Sequence, residues 1–113
     1  MTMIELIHNP RCSKSRAALE LINSKGLTPE VTEYLKTSLS EERLEQISAK
    51  LGLKPSQFVR KEEYKKLGIE MADTEEGIIK QMAEHPILIE RPIVIIENKA
   101  RIGRPPDAIL EII

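Results

Sequence analysis

Met3-Ile4-Glu5-Leu6-Ile7-His8-Asn9-Pro10-Arg11-Cys12-Ser13-Lys14-Ser15-Arg16 is the stretch on which the architecture turns. Its first five residues are a short apolar run, read as a strand over residues 3–7, and Asn9-Pro10 is a turn signal. Beyond Cys12 a helical pattern begins, with Ala17, Ala18, Leu21 and Ile22 recurring on one face. Gly26 is placed to close that helix in a left-handed conformation, and Pro29 lies past the stop. Val31-Thr32-Glu33-Tyr34-Leu35 then reads as a second strand, so the first 35 residues form a βαβ unit. Its first loop carries Cys12, and in an open α/β sheet that loop lies at the carboxyl edge of the strands, where sites form.

Working outward, the pattern becomes helical and polar from Ser38 to about His85. Ser40 before Glu41-Glu42 is a helix start, with Leu44, Ile47 and Leu51 on one face and Gly52 as the stop. Pro55 opens a short helix through Phe58-Val59. Asp73 with Glu76 makes a capping-box pattern ahead of Ile78, Ile79 and Met82, and His85-Pro86 ends that helix. Ile93-Val94-Ile95-Ile96 is the most β-prone run, followed across Asn98-Lys99 by Ala100-Arg101-Ile102, a hairpin. Gly103 breaks the strand, and Pro105-Pro106-Asp107 starts a last helix with Ile109, Leu110, Ile112 and Ile113. The expected class is α/β, with the order β-α-β, a helical insertion at about 38–85, then β-β-α, in a single domain over residues 1–113.

Composition narrows the function. The 113 residues carry 17 Lys and Arg against 18 Asp and Glu, a net charge of −1, with the signs interleaved, so nucleic-acid binding is not expected. No segment is apolar enough to span a membrane, and no basic-then-apolar leader opens the chain, so a cytoplasmic location is expected; the chain is also expected to be a monomer. One cysteine makes no internal disulfide, and two histidines offer no zinc cluster, so no metal is expected. Redox chemistry at Cys12 would have to draw its second thiol from outside the chain.

A free thiol titrates near pH 8.5, and a helix N-terminus and nearby cations stabilise the thiolate. Cys12 sits at a predicted helix start among Arg11, Lys14 and Arg16. Two readings stay open from these residues alone: a reactive thiolate, or a small buried core cysteine. A Cys-x-x-Cys pair is absent because Ser15 occupies the second position, and the spacing to Arg16 is C-x3-R, shorter than a C-x5-R phosphate loop.

Four blocks together are more specific. His8-Asn9-Pro10-x-Cys12-x-x-Ser15-Arg16, Phe58-Val59-Arg60-Lys61, the run from His85 to Val94 (HPILIERPIV) and Arg104-Pro105 resemble the glutaredoxin-coupled arsenate reductases, the ArsC family, in order and interval. The resemblance covers essentially the whole chain and implies a short-chain member with a thioredoxin-like fold. It implies Cys12 as nucleophile, with Arg60, Arg91 and Arg104 binding the arsenate oxyanion. His8, Ser15 and Arg16 are then candidates for lowering the Cys12 pKa or supporting its loop, and Arg91-Pro92 is expected to be the cis peptide of that fold. The implied reaction uses glutathione as co-substrate and glutaredoxin as partner, with no tightly bound cofactor. Two rivals are a thioredoxin-fold regulator of the Spx type that binds RNA polymerase, and a glutathione-dependent monothiol transferase. Ser15 counts against the first, because Spx proteins typically carry a Cys-x-x-Cys switch.

Overall fold

The computed structural model describes residues 3–113. The chain forms two compact units: one takes in the chain through Thr37 together with Arg91–Ile113, the other is Ser38–Glu90. No helix among the described residues is long and apolar enough to cross a membrane.

The first unit is a four-stranded sheet in the order β2-β1-β3-β4. Strand β1 (Ile4–His8) pairs in parallel with β2 (Glu30–Glu33) and antiparallel with β3 (Ile93–Ile96), which turns back into β4 (Lys99–Ile102). Helix α1 (Ser13–Ser24) makes the crossover between β1 and β2. Leu6 and Ile7 point to opposite faces, yet both are fully buried, as expected of a central strand. On one face Ile4, Leu6 and Val94 pack with Ala18 and Ile22 of α1 and with Ile109. The α1 helix ends as the sequence suggests: Gly26 takes φ 76, its N–H reaches Asn23 O, and Leu27 N reaches Ile22 O.

Boundaries moved where tertiary pairing overrode local pattern. His8 belongs to β1, opposite Glu33. β2 stops at Glu33, whose carbonyl takes N–H bonds from both Lys36 and Thr37, turning residues 34–37 out of the sheet. The hairpin turn is Glu97-Asn98 rather than Asn98-Lys99, because Ile95 pairs with Ala100, both buried, which sets Lys99 opposite Ile96. Glu97 takes the left-handed conformation of that turn, φ 54. The last helix is a 3-10 helix, Pro106–Glu111, closed by bonds such as Ala108 N to Pro105 O. Arg91-Pro92 is cis, and so is Arg104-Pro105, which the sequence reading did not anticipate.

In the second unit, α2 (Glu41–Leu51) and α3 (Pro55–Phe58) pack on α5 (Glu75–Glu84), with α4 (Glu63–Leu67) and a 3-10 turn at Pro86–Leu88 completing it. Ser40 caps α2 by accepting from Arg43 N at 3.0 Å. For α5 the cap lies one residue later than the sequence pattern suggested: Thr74, not Asp73, accepts from Gly77 N at 3.0 Å. Helix α4 carried no apolar periodicity; it buries Glu63 and Tyr64, and the Tyr64 hydroxyl donates to Gln81 Oε1 at 2.7 Å. Arg60 N to Leu88 O and Glu90 N to Phe58 O tie the segment after α3 to the unit's end.

Candidate active site

The loop after β1 is wound by Asn9. Its side-chain oxygen accepts from Arg11 N at 3.0 Å and its main-chain oxygen from Cys12 N at 3.0 Å, a tight turn that delivers Cys12 to the N-cap of α1. Cys12 is extended there (φ −91, ψ 123) and its carbonyl takes the N–H of Arg16. No side chain caps the helix. Its N-terminal N–H groups are left to the sulfur, and those of Ser15 and Lys14 both bond to Cys12.

Partial burial is the largest single influence on this thiol and pushes its pKa up. The Ser15 and Lys14 N–H groups, then the charge and side-chain hydrogen bond of Arg91, together outweigh it, and the net direction is down. Arg104 adds a second guanidinium: its Nε donates to the Arg91 carbonyl at 2.8 Å and its Nη2 lies 4.0 Å from Cys12 Sγ.

His8 and Ser15 form a buried pair beneath the loop. His8 Nδ1 and Ser15 Oγ share a hydrogen bond at 2.6 Å, while the same hydroxyl accepts from Asn9 N at 3.0 Å. The Ser15 side chain thereby ties the strand end, the loop and the first helical turn together. Burial lowers the His8 pKa; Glu33 opposes it, Arg16 adds to it, and the net direction is below 6.5, so the imidazole is neutral at pH 7. Arg16 donates from Nη1 to the Pro10 carbonyl at 3.0 Å, bracing the loop from outside.

Arg60 belongs to the second unit, where three carboxylates surround its guanidinium. Nη1 stands 3.1 Å from Glu63, Nη2 3.3 Å from Glu62 and Nε 3.8 Å from Glu90. Glu63 is buried and also meets Lys66 at 3.4 Å. The sequence reading passed over these partners, although the i,i+3 spacing of Arg60 and Glu63 was visible in it. Asn9, read only as part of a turn signal, sets the loop's geometry.

A thiol whose pKa is lowered, with helix N–H groups and two guanidinium groups around it, is equipped to attack as its thiolate a centre that carries anionic oxygens. The ArsC family model matches residues 7–112. The chain belongs to the ArsC family. It is 42% identical to an arsenate reductase of Neisseria meningitidis over 109 residues, 93% of each chain. It is equally identical, 42%, to an arsenate reductase of Haemophilus influenzae over 112 residues, covering 96% of this chain and 97% of the relative. The solved arsenate reductase of Vibrio cholerae superposes with a TM-score of 0.92 at 42% identity, covering 99% of this ArsC chain and 98% of that one. The fold of this ArsC protein is thus the α/β, thioredoxin-like fold that the sequence resemblance implied.

Proposed function

We propose that this ArsC protein reduces arsenate to arsenite, with glutathione and glutaredoxin supplying the electrons. The observation that carries the reading is the convergence of Arg91 and Arg104 on the sulfur of the chain's single cysteine. A thiolate approaching an oxyanion is repelled, and two guanidinium groups offset that repulsion while their N–H forks orient the oxygens. The N–H groups of Ser15 and Lys14 favour the thiolate form of Cys12 and help lower its pKa against the opposing effect of burial.

In the proposed sequence the Cys12 thiolate forms a sulfur–arsenic bond, and one arsenate oxygen leaves as water after taking up two protons. Glutathione displaces a second oxygen as water, leaving arsenic(V) between two sulfurs. A glutaredoxin thiol attacks the glutathione sulfur. The electron pair of the sulfur–arsenic bond passes to arsenic, reducing it to arsenic(III), and a glutaredoxin–glutathione disulfide forms. Water then releases arsenite and restores the Cys12 thiol. Two external thiols provide the two electrons, consistent with a chain that has one cysteine. We also assign Arg60 to the oxyanion on the family resemblance; its guanidinium has five N–H donors, more than its three carboxylate partners occupy with one contact each.

The test is arsenite production in the presence of glutathione and glutaredoxin. Wild type should turn over, Cys12→Ser should not, and Arg60→Ala should lose activity that added phosphate inhibits in wild type. Absence of arsenite with wild type, or turnover retained in Cys12→Ser, overturns the assignment.

A further inference from the structure

The two arginines at Cys12 stand 13 residues apart in sequence, and a close main-chain approach holds their segments together. Gly103, just past the end of β4, donates its N–H to the Pro92 carbonyl at 2.9 Å. One residue on, Arg104 Nε donates to the Arg91 carbonyl at 2.8 Å. Residues 103–104 therefore run against residues 91–92 through two bonds, one from main chain and one from side chain.

The approach leaves no room for a side chain. A Cβ on Gly103 would stand 2.8 Å from Pro92 Cγ and 3.3 Å from Ile109 Cγ2. Pro92 and Ile109 are both buried, so neither has open space into which to yield. Gly103 is not among the glycines with positive φ, so its backbone conformation would accept alanine. What the position requires is empty volume. Arg104 spans two fixed points, the Arg91 carbonyl at Nε and the sulfur at Nη2, so a shift at its own backbone breaks one contact or the other.

We infer that Gly103 is a positioning residue of the Cys12 site: the space left by its missing side chain seats residues 103–104 on Arg91-Pro92 and so sets where the Arg104 guanidinium stands beside the sulfur. The role is distinct from breaking β4, which any poor strand former would do.

Three variants test this: Gly103→Ala, Arg104→Lys and Gly77→Ala. Gly77 is equally crowded, since its Cβ would meet Ala72 Cβ at 2.7 Å, but it lies in the Ser38–Glu90 unit and bonds to none of the residues at Cys12. Each protein is checked by circular dichroism melting, by the pH profile of Cys12 alkylation, and by KM and kcat for arsenate. Gly103→Ala should raise KM about tenfold, the scale of one charge-assisted hydrogen bond, with a smaller change in kcat, and should move the alkylation midpoint to higher pH. Gly77→Ala should melt earlier while keeping the wild-type KM and midpoint. Arg104→Lys keeps the charge without spanning both points, and should reproduce the Gly103→Ala effects with no added volume. A folded Gly103→Ala with wild-type KM and midpoint overturns the inference. If Gly103→Ala does not fold, Arg104→Lys with both wild-type values overturns it. The KM measurement rests on the arsenate reading; if wild type reduces no arsenate, that reading fails and the alkylation profile alone still decides the role of Gly103.

Discussion

Arg104 donates its Nε–H to the main-chain oxygen of Arg91 at 2.8 Å, so the backbone that carries one guanidinium anchors the other. A site built this way is sensitive to either residue. Replacing Arg104 removes a charge and the bond to that carbonyl, whereas replacing the Arg91 side chain removes a charge and leaves the carbonyl anchor in place.

Arg91→Ala should cost more than a single surface charge, because the Arg91 side chain acts on the sulfur directly. The substitution removes both the positive charge and the side-chain hydrogen bond that lower the Cys12 pKa. Alkylation of Cys12 at neutral pH should slow, with its midpoint moved to higher pH, and kcat/KM for arsenate should fall by about 100-fold or more. Iodoacetamide kinetics and steady-state arsenite production check the two effects separately.

Cys12 also makes stability depend on pH. The folded chain holds this thiol below its ordinary value, so the unfolded chain binds the proton more tightly. The contribution is complete above the unfolded value of about 8.5 and is lost as pH falls through the folded one. Urea midpoints of wild type and Cys12→Ser should diverge in favour of wild type as pH rises from about 6 to about 9. Parallel curves would contradict a thiolate stabilised by folding.

His8 acts on the acid side. Burial holds its imidazole below 6.5, so the stability tied to the neutral ring is present above that value and is lost as pH falls through the folded one. His8→Asn offers Ser15 a hydrogen-bonding atom near the position of Nδ1 and does not titrate. Its urea midpoint should vary less than that of wild type as pH falls from about 7 to about 5.

Among the acidic partners of Arg60, burial decides the outcome. Glu63 has 3% of its side chain exposed against 64% for Glu62. Glu63→Leu leaves the guanidinium, itself only 15% exposed, without its most deeply buried partner and should destabilise by about 2 kcal/mol or more. Glu62→Leu should change stability by less than about 1 kcal/mol. Thermal or urea unfolding of the two variants makes the comparison.

Much of the fold was legible because its signals are local. The apolar run before Asn9-Pro10, the helical spacing from Ala17 to Ile22 and the β-branched run at Ile93 each specify an element from neighbouring residues. The errors fall where distant contacts override that pattern. Thr74 rather than Asp73 caps α5, and α4 has too little apolar surface to announce itself. Glu97-Asn98 forms the turn because Ala100 must be buried opposite Ile95.

The sequence by itself determined that Cys12 would sit at the start of a helix after a strand, with no second cysteine in the chain to help it. Chain neighbours within one turn set that arrangement, so it can be read from their order. Only the tertiary structure decided the company the sulfur keeps. Arg104 reaches it from 92 residues away, because β3 and β4 pair in register and Gly103 leaves room for residues 103–104 against Pro92. Arg60 looked from its sequence like the other two arginines, but is enclosed by Glu62, Glu63 and Glu90. Charge is a property of a residue and can be read one position at a time. Its direction and its partners depend on which segments pack together, and those follow from burial and register summed over each unit.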